Sequence, residues 1–311
     1  MHCRRAGGYA ARLPVLPFGY KFITEMGDTT MDAKKAALEK TAAAQQAADV
    51  QVDPLRIVCH AVDQQIRDND PALQLILQSA NLPPDSFNAL GRVKLTYLAL
   101  GGRLRRYAAL YGREDDTVRL RPATYDVNQY LRGITNLLDR QLGIRPQGEV
   151  VFKSRTAGSL CAVFDADRLS AILFNLVDNA IRHGHTDNKN VYISLRETAD
   201  TFIISVKDKG RGVQREQMQT LFAQYAHLPA VPSAYPSQLE GLGLALCQKY
   251  AHEMGGKLTF ENQKVGAKFS LTLPKRPAEG QQYVQEVRAY QPDRMTMLLY
   301  LAPCLLALKT V

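Results

Sequence analysis

The chain has 311 residues, 46% of them hydrophobic, and a net charge of +9, enough for two packed domains with tails. Its five scattered cysteines (Cys3, Cys59, Cys161, Cys247, Cys304) have no CxxC or other metal spacing, which speaks against a cysteine metal site and suits a reducing cytosol. The basic residues are dispersed and lack a stripe with interleaved aromatics, so the charge does not point to nucleic acid.

Residues 1–50 read as a tail and leading helix. Met1 to Gly27 is irregular and basic, with Arg4, Arg5 and Arg12, and lacks the apolar core of a secretory signal. It is compatible with sequence ahead of a true start at Met26 or Met31. Met31 to Val50 is rich in Ala, Lys and Gln and is expected to form a soluble helix.

Residues 51–115 read as a helical hairpin. The first arm carries Ile57, Val58, Val62, Ile66, Leu73, Ile76 and Leu77, the turn is Asn81-Leu82-Pro83-Pro84-Asp85-Ser86, and the second arm carries Leu90, Val93, Leu95, Tyr97, Leu98, Leu104 and Tyr107. Such hairpins with broad apolar faces need a partner to bury them. His60 is the only histidine in the hairpin. With an ordinary pKa near 6.5, an imidazole is largely neutral and nucleophilic at cellular pH. Asp63, one turn on, is placed to orient it and take its proton.

Residues 116–276 carry the chemistry. Leu169, Ile172, Leu173, Leu176, Val177 and Ala180 form an apolar stripe at helical spacing. Asn175 and Asn179 lie four residues apart on another face of the same helix. Asparagine is a mediocre helix former, so a pair beside a core stripe needs a reason. Neutral amide oxygens at this spacing suit Mg²⁺ and its waters against a polyphosphate. Next, Phe202 to Val206 is a β-branched strand that delivers the DxGxG turn Asp208-Lys209-Gly210-Arg211-Gly212. The Asp208 carboxylate can accept from an exocyclic amine, while Gly210 and Gly212 let the backbone approach a flat base. His227 to Glu240, rich in Pro, Ala and Ser, reads as a loop able to fold over phosphates. Gly241-Leu242-Gly243-Leu244 then opens a helix, placing small residues and free amides at a positive helix end.

Residues 277–311 form a C-terminal tail. Its apolar stretch, Met295 to Leu308, is interrupted by Pro303 and falls short of the roughly 20 residues of a membrane span. A packed C-terminal helix is expected, with no transmembrane span.

The order of asparagine helix, DxGxG turn, loop and GLGL helix resembles the ATP-binding domain of sensor histidine kinases, of the GHKL superfamily, from about Val118 to Pro274. Phe164 to Leu169, Leu221-Phe222-Ala223-Gln224-Tyr225 (similar to the family's phenylalanine box), Cys247 to Leu258 and Gly266 to Pro274 add to the match. The resemblance implies an α+β protein: a hairpin forming a dimeric four-helix bundle, then a two-layer α/β sandwich with ATP on the helix side. It implies ATP and Mg²⁺ held by Asn175, Asn179, Asp208, Gly210, Gly212, Gly241, Leu242 and Gly243, with Asn179 the principal metal ligand. Arg182 and His183 fall where the family places a phosphate-facing Lys or Arg and its neighbour. Superfamily members that hydrolyse ATP carry a glutamate where this chain has Asn175, and a neutral amide cannot deprotonate water near pH 7. That favours phosphotransfer.

The resemblance further implies a cytoplasmic homodimer that passes phosphate from His60 to the aspartate of a response-regulator receiver domain. The hairpin departs from the pattern of histidine, acid, polar residue at +4 and proline at +5. Counting back from Pro71 puts Ile66 and Arg67 at the first two places, and counting from His60 finds Ala61 next. Two other readings stay open: an ATP-gated dimeric scaffold without catalysis, and a protein serine kinase resembling the anti-sigma factors, which share the run Asn179 to Gly184.

Overall fold

The chain divides into two units, Met1–Gln51 and Val52–Val311. The computed structural model describes residues 54–79, 82–111, 120–144, 147–156, 158–184, 188–213, 242–276 and 284–309, all in the second unit. The helix expected over Met31 to Val50 lies outside the described residues.

Two antiparallel-running helices come first, α1 (Pro54–Gln78) and α2 (Pro84–Tyr111). Ile66 of α1 packs with Leu95, Leu98 and Ala99 of α2. Lys94 pairs with Asp70 at 2.6 Å and Arg105 with Asp63 at 3.0 Å, fixing their register.

A five-stranded sheet follows in the order β2 (Val150–Ser154), β4 (Val191–Glu197), β5 (Thr201–Lys207), β7 (Ala267–Pro274), β6 (Lys257–Asn262). β2 runs parallel to β4 and the remaining pairs are antiparallel. Alternation decides which face is covered. Val191, Ile193, Leu195, Phe202, Ile204, Val206, Leu271 and Leu273 are buried, while Tyr192, Ser194 and Lys207 between them are half-exposed. Against the buried face lie α3 (Val127–Leu142), α4 (Ala166–His183) and α5 (Leu242–Glu253). A second sheet joins β1 (Ala123–Asp126) antiparallel to β3 (Cys161–Phe164) and parallel to β8 (Val284–Val287). This is the α+β architecture expected, two layers with helices on one side.

α4 is the central element, and its ends are built by local chemistry. Asp165 caps it by accepting from the Arg168 amide at 3.0 Å. Arg182 and His183 occupy its last turn, where positive charge suits the macrodipole. Leu169, Ile172, Leu173, Leu176, Val177 and Ile181 are all at most 1% exposed, each worth about 1.5–3 kcal/mol of burial.

The C-terminal stretch forms α6 (Arg294–Lys309), which packs on α2 and α4. Gly101 and Gly102 of α2 form its seat. A Cβ on Gly101 would strike the Ile66 side chain, and one on Gly102 the Leu299 carbonyl oxygen. Each interior glycine costs a helix roughly 0.5–1 kcal/mol against alanine, and this close approach is what the pair permits. Pro303 lies inside α6 and has no N–H to give the carbonyl four residues back, which is Leu299. Asp293 caps the helix, accepting from the Thr296 amide at 2.8 Å and hydroxyl at 2.7 Å, and pairs with Arg67 at 3.1 Å.

Burial pushes the Asp293 carboxyl up, but the bonds from Thr296 and Arg67 outweigh it and hold it at about 2, below its ordinary 3.8. A depressed carboxylate stabilises the fold above its ordinary value and loses that contribution as pH falls through the folded one. Asp293→Ala is therefore expected to lower the thermal midpoint at pH 7 by about 2–4 °C, for about 1 kcal/mol of lost cap. The gap to wild type should close between pH of about 4 and about 2, followed by circular dichroism. A gap that persists at pH 2 would contradict the assignment.

Candidate functional site

The asparagines expected on one face of a helix both lie on α4, but in different environments. Asn179 is half-buried, and its Oδ1 accepts from Arg182 Nη2 at 3.0 Å. Arg182 also gives Nε to Asp178 Oδ2 at 3.0 Å, and its side chain is 34% exposed. Asn175 is 2% exposed. Its Nδ2 donates to the Ala171 carbonyl at 2.9 Å, and its Oδ1 accepts from Arg106 Nε at 2.7 Å. Arg106 reaches in from α2, and its Nη2 donates to the Tyr300 carbonyl of α6 at 2.9 Å. Its guanidinium also lies over the Tyr300 ring, 4.9 Å from the centroid. Burial pulls this group below its ordinary pKa, and the nearby Tyr300 and Asp178 oppose the shift.

The DxGxG turn leaves β5 beside the last turn of α4. Asp208 is buried, and its Oδ1 accepts from the amides of Gly210 at 2.7 Å and Ala267 at 3.1 Å. No hydrogen bond among the described residues engages Oδ2, so a carboxylate oxygen is held in place with acceptor capacity to spare. A Cβ on Gly210 would meet the carbonyl of His183. The turn therefore fits against the end of α4 only as glycine. Gly212 has φ +75°, a backbone region glycine tolerates without strain. The His183 side chain is exposed.

Gly243 lies in the first turn of α5 and faces the middle of α4. A Cβ there would stand 2.9 Å from Asn175 Oδ1, so the first turn of α5 is pressed close to Asn175. Leu242 is the buried first residue of α5. From Asn175 to His183, α4 spans about 12 Å at 1.5 Å per residue. The two glycine motifs thus meet one helix at its middle and at its C-terminal end, an arrangement suited to an elongated ligand with a flat group at Asp208. Gly241, the loop His227 to Glu240 and the Leu221 to Tyr225 box lie outside the described residues.

His60 is exposed on α1, a helix that packs on α2. Asp63 does not stand free for it, since its Oδ2 accepts from Arg67 Nε at 3.3 Å and Arg105 Nη2 at 3.0 Å.

Three residues of this region were not singled out from sequence. Gly266 has φ +84°, and a Cβ there would collide with the Asp208 carbonyl oxygen. Asn262 clamps the turn, accepting from the Val213 amide at 2.9 Å and donating to its carbonyl at 2.8 Å. The third is Arg106. A glycine between two strands is a signal for Gly266; Arg106 sits in an Arg-rich run that marks no one position.

Residues 164–277 match the family described as histidine kinase-, DNA gyrase B-, and HSP90-like ATPase. The signal transduction histidine-protein kinase AfsQ2 of Streptomyces coelicolor is 35% identical over 118 residues, 38% of this chain and 21% of that protein. The aerobic respiration control sensor protein ArcB of Escherichia coli is 25% identical over 206 residues, 65% of this chain and 26% of that protein. The chain thus spans between about a fifth and a quarter of the length of these curated relatives. Full-length ShkA, solved in complex with AMPPNP, shares the fold with a TM-score of 0.53 at 19% identity, over 72% of this chain and 46% of that one. On these findings residues 164–277 form a domain similar to the histidine kinase-, DNA gyrase B- and HSP90-like ATPases, and the relatives that match it include a histidine-protein kinase and a sensor protein.

Proposed function

We propose that this chain is a Mg-ATP-dependent histidine autokinase of a two-component system, dimeric through α1 and α2, that passes its phosphoryl group to a response-regulator aspartate. The observation that carries the reading is the convergence on α4 of Asn179, the Asp208 turn and the start of α5. Base recognition falls to Asp208 Oδ2 with Gly210 and Gly212, and the phosphates to the first turn of α5, with Arg182 beside them. Magnesium, held by Asn179, would neutralise charge between the phosphates. The donor set fits it, since a neutral amide oxygen at the solvent edge suits a cation that keeps several waters. Arg182, partly exposed and resting on Asn179, is free to swing from that oxygen to a phosphate oxygen, which has the opposite charge.

His60 is exposed on its helix, as a group reacting with a separate phosphate must be. In the transfer its imidazole nitrogen would form the N–P bond as the bond from the γ-phosphorus to ADP breaks, with the ring proton lost to solvent. The homodimer is supported by exposed apolar side chains on both hairpin helices, among them Ile57, Val58, Ile76, Val93 and Leu100. Among the described residues no helix is long and apolar enough to cross a membrane, and a cytoplasmic location is part of this proposal.

A specific observation favours the scaffold as second reading. Asp63 is tied to two arginines, so His60 lacks the carboxylate that would take its proton. In that case nucleotide would reshape the dimer without phosphotransfer.

Asp208→Ala is expected to abolish ATP binding in a titration with a fluorescent nucleotide; unchanged affinity would refute the site. Asn179→Ala should lose the Mg²⁺ dependence of binding first. Gly266→Ala forces strain of about 1–3 kcal/mol onto the Asp208 backbone and should weaken nucleotide binding about tenfold or more. With γ-labelled ATP and Mg²⁺, wild type should acquire acid-labile, alkali-stable label that His60→Ala does not. Label surviving in the variant would move the acceptor elsewhere, and ATP binding without label would establish the scaffold.

A further inference from the structure

The proline break in α6 lies against the nucleotide-site helix. Near Pro303, the Tyr300 carbonyl accepts from Arg106 at 2.9 Å, and the Cys304 amide donates to Asp178 Oδ1 at 2.9 Å. Arg106 is 5% exposed and Asp178 is 3% exposed. Two charged side chains, one from α2 and one from α4, thus bind the backbone of α6 in a buried junction. Arg106 reaches past α6 to Asn175 Oδ1 at 2.7 Å, so the same guanidinium that holds α6 also occupies the asparagine beside Gly243. A cation placed on that oxygen would face a like charge in a buried site, where repulsion is strong.

The seat of α6 is specific. Gly102 leaves room for the Leu299 carbonyl, the carbonyl that Pro303 cannot serve. Met297, Tyr300, Leu301 and Cys304 of α6 are buried in the core shared with α4. Leu299 and Ala302 are buried against Ile66, Leu95, Leu98 and Ala99 of the hairpin. One helix therefore ties the hairpin to the nucleotide layer.

We propose that α6 is a cis-acting latch on the nucleotide site: while it is docked, Arg106 holds Asn175, and Mg-ATP engagement of Asn175 releases Arg106 and loosens α6. This rests on the reading of Asn175 as a nucleotide-site residue. Two ligands of one oxygen oppose each other, and the coupling is reciprocal: α6 docking weakens Mg-ATP binding by the factor by which Mg-ATP weakens docking. A charge-assisted hydrogen bond sets that factor at about tenfold or more. Release also frees the hairpin to move relative to the ATP site, which a transfer from a bound nucleotide to a residue on α1 requires.

The test is hydrogen–deuterium exchange on the full chain, with and without Mg-AMPPNP at saturation, together with nucleotide affinities of wild type, Arg106→Gln and Gly102→Ala. The latch predicts that amides of residues 297–304 exchange about tenfold faster with Mg-AMPPNP bound. It also predicts that both variants bind Mg-AMPPNP about tenfold more tightly. Gly102→Ala displaces α6 without touching any nucleotide-site residue, so it stands if Arg106→Gln does not fold. Unchanged or slower exchange in α6 with nucleotide bound, and affinities equal to wild type, would overturn the latch while leaving the ATP site in place. A chain that binds no Mg-AMPPNP even as Gly102→Ala would overturn the site assignment and the latch with it.

Discussion

A guanidinium carried into a protein interior loses its hydration, and the loss is tolerated only where fixed acceptors replace the water. Arg106 meets that condition in one place, where α2, α4 and α6 come together. Its Nε finds the Asn175 amide and its Nη2 the Tyr300 carbonyl, with the Tyr300 ring beneath the plane. Asp178 lies close enough to favour the charge. Each partner comes from an element that the others cannot replace. Leaving a buried charge without its partner is costly, so this one side chain joins the helical hairpin, α4 and the C-terminal helix at a single point.

That constraint explains features of α6 that look unfavourable in isolation. A proline inside a helix disturbs its hydrogen-bond ladder, and here the break lies where Arg106 and Asp178 stand ready to serve nearby backbone groups. The two glycines of α2 are poor helix residues, yet any side chain at Gly102 would meet the Leu299 carbonyl. Cost and remedy sit on different elements and are linked only in the folded chain. The same logic holds at the DxGxG turn. Gly210 yields to the His183 carbonyl, Gly266 to the Asp208 carbonyl, and Asn262 holds the Val213 backbone from the side.

The two asparagines of α4 show how tertiary packing separates residues that sequence treats alike. Both oxygens accept from an arginine, but Arg182 lies at the solvent edge and Arg106 in the interior. An exposed contact of this kind is worth little and exchanges readily; a buried one is held by everything around it. A ligand competing for both would displace the first easily and the second only by moving helices.

Much of this protein is legible in one dimension. The apolar stripe on α4, the β-branched strands and the glycine spacing specify elements by period and by backbone sterics, which are local properties. Hence the α+β class and the family resemblance follow from residue order, and the C-terminal helix from its apolar run. What residue order could not supply is the identity of partners distant in the chain. Asn175 accepts from Arg106, 69 positions away, and Asp178 from Cys304, 126 positions away. Asp63 looked free to serve His60, one turn away, but Arg105, 42 positions on, is its partner as well. Such pairs depend on which helix faces meet, and meeting is decided by burial of the whole core. The sequence by itself determined the elements and the polar groups that they carry. The tertiary structure alone decided which of them are already engaged, because a buried charge takes its partners from whatever elements the core brings within reach.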